Sequence, residues 1–110
     1  MSLYNIYTGL GDLSDEAVRD TTTHLIGYAL GLGLPGITVL PGVGGWWNYE
    51  GETVIEPIRV FQVWYSVTGN NLPWSLQALA EEIRRVFNQQ VVSVVGVAAC
   101  DWSFTEGQAN

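Results

Sequence analysis

Glu56 and Arg59 are the first candidates for chemistry, because charges are scarce in this chain and both residues fall within or beside an apolar predicted strand. A carboxylate can move a proton, and a guanidinium can hold an anionic ligand group through two parallel hydrogen bonds. Residues at this spacing on a regular strand point to opposite faces, so a shared pocket requires a bulge, which Pro57 could accompany. The alternative is a structural ion pair or two solvated side chains.

His24 and Tyr65 are the further candidates for proton transfer. The ordinary pKa of an imidazole lies close to operating pH, which suits a general base. However, His24 falls in the middle of a predicted helix, where Asp20 is the one local carboxylate that could orient its ring. A histidine on a helix surface is the simpler interpretation. Tyr65 is predicted to face the core and could assist a pocket enclosed between two sheets.

Aromatic residues gather on one predicted hairpin, which carries Trp46, Trp47, Tyr49 and Trp64. Such rings can stack on sugars, so Trp46 and Trp64 are candidate ligand-binding residues and a carbohydrate-binding module is one alternative function. Adjacent strand residues point opposite ways, however, so Trp46 and Trp47 cannot share one platform without a bulge. Aromatic side chains also commonly fill cores and interfaces.

The inventory of reactive side chains excludes several kinds of site. The chain has one cysteine, Cys100, and one histidine, so neither an intrachain disulfide nor a site of clustered cysteine or histidine ligands can form. We expect no metal and no cofactor. Cys100 has no basic neighbour to lower its pKa and is predicted to be buried packing, while Asp101 is predicted to end a strand. The absence of lysine excludes Schiff-base chemistry and a P-loop.

Composition favours one compact domain with no affinity for polyanions. The chain has 110 residues, of which 47% are hydrophobic and 14% charged, and its net charge is −7. This charge repels a phosphate backbone and an anionic membrane surface, so we expect neither a nucleic-acid nor a membrane partner. Residues 25–49 carry no charge, but Pro35, Pro41 and several glycines argue against a membrane span. No signal-peptide pattern follows Met1, so a cytoplasmic location is expected.

The pattern of apolar residues and turn signals predicts a βαββαβ order, typical of a ferredoxin-like α+β fold with two helices on one face of a four-stranded antiparallel sheet. A single domain over residues 1–104 and a flexible tail over 105–110 are predicted. Ser14 is the expected N-cap of the first helix, and Pro73 is expected to open the second helix. The predicted elements are strands 3–10, 37–49, 53–67 and 91–104 and helices from 14 to about 33 and from 73 to about 87.

Several finer expectations concern packing. A loop at residues 50–52 places Val39 opposite Val63, with a core side that consists of Ile37, Val39, Phe61, Val63 and Tyr65. Pro41 and the nearby glycines are expected to bend or bulge their strand. The last strand, apolar on both faces through Val92, Val94, Val95 and Val97, is typical of a central strand.

Two expectations concern the helices. Gly27 and Gly31 lower helix stability, which a close approach of the helix backbone to the sheet would offset. Glu81 and Arg85 are expected to form an i,i+4 ion pair on the solvent face of the second helix.

Short motifs add a resemblance to a family of short bacterial ferredoxin-like domains of unknown function. Residues 36–39 match G-x-T-V, Gly45 and Trp46 lie where that family has G-x-W, residues 56–60 match E-x-x-R-V, and residues 84–89 match R-x-x-F-x-Q. Trp47 departs from the polar residue usual after this tryptophan. The resemblance implies the fold and candidate positions, and no reaction.

The sheet face opposite the core carries Leu40, Ile58, Val60 and Trp64, which two helices on one side cannot cover. Exposed apolar patches of this kind mark contact surfaces. The first hypothesis is therefore a non-enzymatic homo-oligomer, a dimer through the open sheet face, with a binding or structural role.

The second hypothesis is a small-molecule enzyme of the dimeric α+β barrel type, with isomerase, lyase or cofactor-free oxygenase chemistry. In it Arg59 binds a small anionic molecule and Glu56 moves a proton. Convergence of these two side chains in one water-shielded cavity would favour the enzyme.

Overall fold

The computed structural model describes residues 2–66 and 72–98. The elements in chain order are β1 (Ser2–Gly9), α1 (Asp15–Gly31), β2 (Thr38–Trp47), β3 (Thr53–Tyr65), α2 (Trp74–Val86) and β4 (Ser93–Ala98). The strands form one antiparallel sheet in the order β2-β3-β1-β4. This confirms the predicted ferredoxin-like α+β fold. The predicted end of the last strand at residues 99–104, the tail 105–110 and the end of the third strand at Val67 lie outside the described residues.

The position predicted for the last strand is wrong, because β4 lies at the edge of the sheet beside β1. Val94 packs against the core on one face of this strand, whereas Val95 on the other face is 45% exposed. Apolar residues on both faces therefore arise from a core on one side and an uncovered apolar face on the other. The central strands are β1 and β3.

The register of the β2–β3 hairpin differs from the predicted register by two residues. Val39 pairs with Phe61, and the last pair before the turn is Trp47 with Thr53. The turn begins at Asn48, whose Oδ1 accepts hydrogen bonds from the backbone N–H groups of Glu50 and Glu52 at 3.0 and 2.9 Å. An even shift leaves every side chain on its predicted face.

The core lies between the helices and one face of the sheet. The predicted core side is confirmed, with Phe61 and Val63 completely buried and Ile37, Val39 and Tyr65 packed against the core cluster. The helices contribute the buried residues Val18, Leu25, Ala29, Leu76, Leu79 and Ile83. Burial of these side chains is the main stabilisation of the fold.

The nearby glycines and Pro41 do not produce the bulge allowed for β2, because the strand pairs with β3 without interruption from Thr38–Gln62 to Trp47–Thr53. An edge strand tolerates Pro41 where the missing N–H would face away from the neighbour. A Cβ added to Gly42 or Gly44 would lie 3.2 or 3.1 Å from Ile58 side-chain atoms. These glycines therefore leave space for Ile58 on the open sheet face.

Helix α1 begins at its predicted cap, since Ser14 Oγ accepts a hydrogen bond from the Ala17 N–H at 3.2 Å. The close backbone approach predicted at Gly27 and Gly31 is wrong: both residues are exposed, and a Cβ on either would meet no other atom within 4 Å. The glycine that the backbone requires here is Gly33, where the chain reverses direction after the helix with a φ of 86°.

Replacing Gly27 by alanine should therefore raise the free energy of unfolding by about 1 kcal/mol, because alanine restricts the unfolded chain and meets no steric obstacle in the folded helix. Urea denaturation at neutral pH measures the difference. Gly33→Ala is the matched control and should destabilise the chain, since its φ of 86° strains any side chain. A loss of stability in Gly27→Ala would contradict the exposed position of this residue.

Candidate functional site

Glu56 and Arg59 lie on opposite faces of the sheet, because β3 pairs regularly with both of its neighbours. Arg59 is opposite Thr8 of β1, which is buried on the core face. Glu56 is three residues before Arg59 and pairs with Gly44 on the open face. Within one chain the structure does not bring the two predicted catalytic candidates into one pocket.

On the open face, Glu56 meets Gln89 above Gly9, the last residue of β1. A Cβ added to Gly9 would lie 3.2 Å from Glu56 Oε2 and 2.8 Å from Gln89 Oε1. Two side-chain oxygens therefore converge in space that only glycine leaves open. Sequence reasoning did not single out Gln89 as a functional residue, although it belongs to the R-x-x-F-x-Q motif.

The position of Gln89 is set by hydrogen bonds at the end of α2. Its Nε2 donates to the Phe87 carbonyl at 3.0 Å, which leaves Oε1 directed toward Gly9. Its own carbonyl accepts from Arg84 Nη1 at 3.1 Å. Since both amide groups of Gln89 are engaged, Oε1 is held as an acceptor beside the Glu56 carboxylate.

The rest of the open face is uncharged in the described strands and mixes apolar with neutral polar side chains. The predicted interface residues lie there, with Leu40 and Trp64 exposed at 41% and 44% and Ile58 and Val60 partly buried. Asn5 lies between them, and its Oδ1 is buried with no hydrogen-bond partner among the described residues. A buried acceptor without a partner carries a desolvation cost that a donor from a second molecule would relieve.

Arg59 lies on the helix-covered face and lines a cleft of about 430 Å³. It is partly buried, and its Nη1 donates to the carbonyl of Ile58 at 3.0 Å. The cleft is bounded by the first turns of α1 and by the edge strand β2, through Asp15, Val18, Arg19, Thr22, Thr23, Val39 and Pro41. Arg59 therefore lines a cleft on the helix-covered face, whereas Glu56 lies on the open face.

His24 is bound by Glu82 of α2, and the predicted local partner Asp20 is not used. His24 Nε2 lies 2.8 Å from Glu82 Oε2, and the same oxygen accepts from Arg85 Nη2 at 2.7 Å. Hydrogen bonds from Arg85 and then from His24 lower the pKa of Glu82 from 4.5 to about 2. This contact joins the two helices, which is a structural role.

The predicted ion pair between Glu81 and Arg85 is wrong. Arg85 pairs with Glu82 instead, and Glu81 accepts from Arg84 Nε at 3.0 Å. Both pairs have i,i+3 spacing, which is as close on a helix surface as i,i+4. The hydrogen bond from Arg84 lowers the pKa of Glu81.

The aromatic candidates are dispersed. Tyr65 is partly buried and packs against the core. Trp46 pairs with Val54 and Trp64 with Leu3, so the two tryptophans lie ten residues apart along β3, about 33 Å at ~3.3 Å per residue. Trp46 and Trp47 lie on opposite faces of a regular strand. One carbohydrate platform in a single chain therefore cannot use both Trp46 and Trp64.

The described ranges contain neither a cluster of metal-ligating side chains nor a membrane-spanning helix. In residues 2–66 and 72–98, no three His, Cys, Asp or Glu side chains lie together as a metal site requires. No helix in the part of the chain that the structure describes is long and apolar enough to cross a membrane. Cys100 and Asp101 lie outside that part.

Solved structures with this ferredoxin-like fold belong to proteins of different function. The periplasmic divalent cation tolerance protein CutA from Archaeoglobus fulgidus is 12% identical, with a TM-score of 0.55 over 98% of this chain and 88% of that one. CutA1 from Oryza sativa is 16% identical, with a TM-score of 0.56 over 93% and 84%. A phage SAM lyase in complex with S-methyl-5'-thioadenosine is 18% identical, with a TM-score of 0.58 over 92% and 91%.

At these identities the similarity shows the fold alone. No family model matches the chain, and no curated protein sequence matches it. The resemblance of the short motifs to a bacterial family of unknown function therefore stays a prediction, while its implied fold is confirmed.

The Glu82 contact generates a prediction about stability and pH. Glu82→Gln should lower the free energy of unfolding at neutral pH by about 1 kcal/mol. The value is modest because the side chains that contact Glu82, those of His24 and Arg85, are half-exposed or more. A depressed pKa adds stability above the ordinary value of 4.5 that disappears as pH falls toward about 2. The difference between variant and parent should shrink across this window.

Urea denaturation at a series of pH values measures this effect. Glu81→Gln is the matched control, since its side chain is 65% exposed and pairs with Arg84 of the same helix. Its effect should be smaller than that of Glu82→Gln, because water screens an ion pair on an exposed helix surface. Equal effects of the two substitutions would show that the contact between helices adds nothing.

Proposed function

We propose that this chain is a homo-oligomeric domain, in its simplest form a dimer through the open sheet face, which binds a small molecule at the border of that face. The observation that carries the proposal is the uncovered sheet surface around Leu40, Ile58, Val60 and Trp64. Both helices pack on the other side.

The expected cytoplasmic location stays a prediction, which cell fractionation would check.

The chemistry of the open face fits a second copy of the same surface. Apolar side chains withdrawn from water contribute about 25 cal/mol per Å², and a stable interface needs roughly 800 Å² from each partner. The described part of this face carries one charge, the Glu56 carboxylate at its border. Desolvation of the remaining face on pairing therefore buries no charged group, and a partner could supply the missing donor to Asn5 Oδ1.

The hairpin can extend such an interface. Gly9 of β1 pairs with Ile58, so the part of β3 before Ile58 and the part of β2 after Gly42 project beyond β1. Trp46, which pairs with Val54 on the open face of this projection, is 47% exposed. A second copy would cover this side chain and reduce the exposed apolar surface.

Leu40→Glu should convert the oligomer into a monomer, because it would bury a charge within the proposed interface. Size-exclusion chromatography with light scattering at micromolar concentration measures the mass. Leu30→Glu is the matched control, since Leu30 is similarly exposed, at 51% against 41%, but lies on α1. A parent chain that is monomeric at this concentration would overturn the proposal.

The second candidate function is a small-molecule lyase. It is favoured by the two acceptor oxygens of Glu56 and Gln89 above Gly9, which suit a ligand with a cationic or donor group. S-adenosylmethionine carries a sulfonium and an ammonium, and a phage SAM lyase has the same fold. In this version the Glu56 carboxylate attracts the cation, and Arg59 on the other face takes no part.

An assay of this candidate incubates the purified oligomer with S-adenosylmethionine and follows S-methyl-5'-thioadenosine by chromatography. Glu56→Gln should reduce turnover by about 100-fold or more, since the charge next to the ligand is lost. Glu50→Gln in the hairpin turn removes the same charge elsewhere and should change the rate by less than about twofold.

The possible results separate the two candidate functions. Absence of product with the parent chain would exclude the lyase and leave the homo-oligomeric binding domain. Calorimetric titration with the same compound would then show whether it is a ligand. A carbohydrate site that uses both Trp46 and Trp64 of one chain is disfavoured, because they are about 33 Å apart by the ~3.3 Å rise of a strand.

A further inference from the structure

The arginines of this chain fall into two pairs with different surroundings. Arg84 and Arg85 are neutralised on α2 by Glu81 and Glu82. Arg19 and Arg59 both line the cleft between α1 and the β2–β3 hairpin, and within residues 2–66 and 72–98 neither forms a salt bridge. Two unneutralised guanidinium groups in one cleft of an acidic protein create a local positive potential.

Arg59 is placed in this cleft by the regular pairing of β3. It faces the helix layer opposite Pro41, which offers it no polar side-chain partner. One hydrogen bond to the Ile58 carbonyl leaves most of its donors free for a ligand. A partly buried guanidinium has lost part of its hydration, so an anionic partner in the cleft would restore lost interactions.

Helix α1 adds further groups from the other wall. Arg19 and Thr22 lie one turn apart and line the cleft together. The Thr23 hydroxyl donates to the Arg19 carbonyl at 3.1 Å and is therefore engaged within the helix. Asp15 is the one acidic side chain that lines the cleft, so its charge partly offsets the two arginines.

We propose that this cleft binds the phosphate group of a small molecule. Two guanidinium groups and a hydroxyl offer more donors than the two oxygens of a carboxylate can accept, whereas a phosphate presents three or more oxygens. The volume of about 430 Å³ exceeds that of a phosphate ion and leaves space for the organic part of a phosphate ester. The site lies on the opposite sheet face from Glu56 and does not depend on oligomer formation.

Isothermal titration of the full chain at low ionic strength tests this site, with inorganic phosphate and glycerol 3-phosphate as probes. Arg19→Gln and Arg59→Gln should each weaken binding by about tenfold, because each removes a charge-assisted contact. Asp15→Asn should strengthen binding about threefold by removing a like charge. Arg85→Gln changes the net charge equally but lies outside the cleft, so it should alter the affinity by less than about twofold.

The two probes distinguish the source of the phosphate. Tighter binding of glycerol 3-phosphate indicates an ester, while equal or weaker binding indicates the free ion, and either result supports the site. Circular dichroism confirms that Arg59→Gln is folded, and exposed Arg19 provides a second variant with little structural risk. No heat of binding with either probe at millimolar concentration, or an equal loss of affinity in Arg85→Gln, would overturn the proposal.

Discussion

The uninterrupted pairing of β3 with both of its neighbours is the constraint on which the rest of the structure depends. Side chains of a regular strand alternate between two faces, and one extra residue would exchange those faces for everything beyond it. Because no bulge intervenes, Arg59 faces the helices and Glu56 faces the open side. The same alternation places Phe61 in the core and Val60 on the open face.

The regular pairing of β3 also separates the charged side chains of the two sheet faces. An acidic group with an amide oxygen stands on one face and a pair of arginines on the other, separated by the sheet itself. The two charges that the sequence suggested for one pocket are therefore separated, and the two proposed sites would favour ligands of opposite charge. The CutA proteins and the phage SAM lyase show that this fold occurs in proteins of different function.

Both helices pack on one face of the sheet, and the other face carries exposed apolar side chains. The helices are well anchored, by a buried apolar stripe on α2 and by the Glu82 contact between α1 and α2. No helix of residues 2–66 and 72–98 covers the open face, whose exposed residues include Leu40 and Trp64. Association through this face would remove its apolar side chains from water. It would also enclose the space beside Glu56 and Gly9.

Local sequence determined the elements, their order and the faces of their side chains, because caps such as Ser14 and apolar periodicity act over a few residues. Even a register error of two residues left the core side correct, since side-chain direction repeats with that period. Tertiary structure alone decided that β4 is an edge strand, that His24 contacts Glu82, and that Gln89 reaches Gly9. These outcomes join residues far apart in the chain, and nothing in their local patterns specifies which distant surface each one meets.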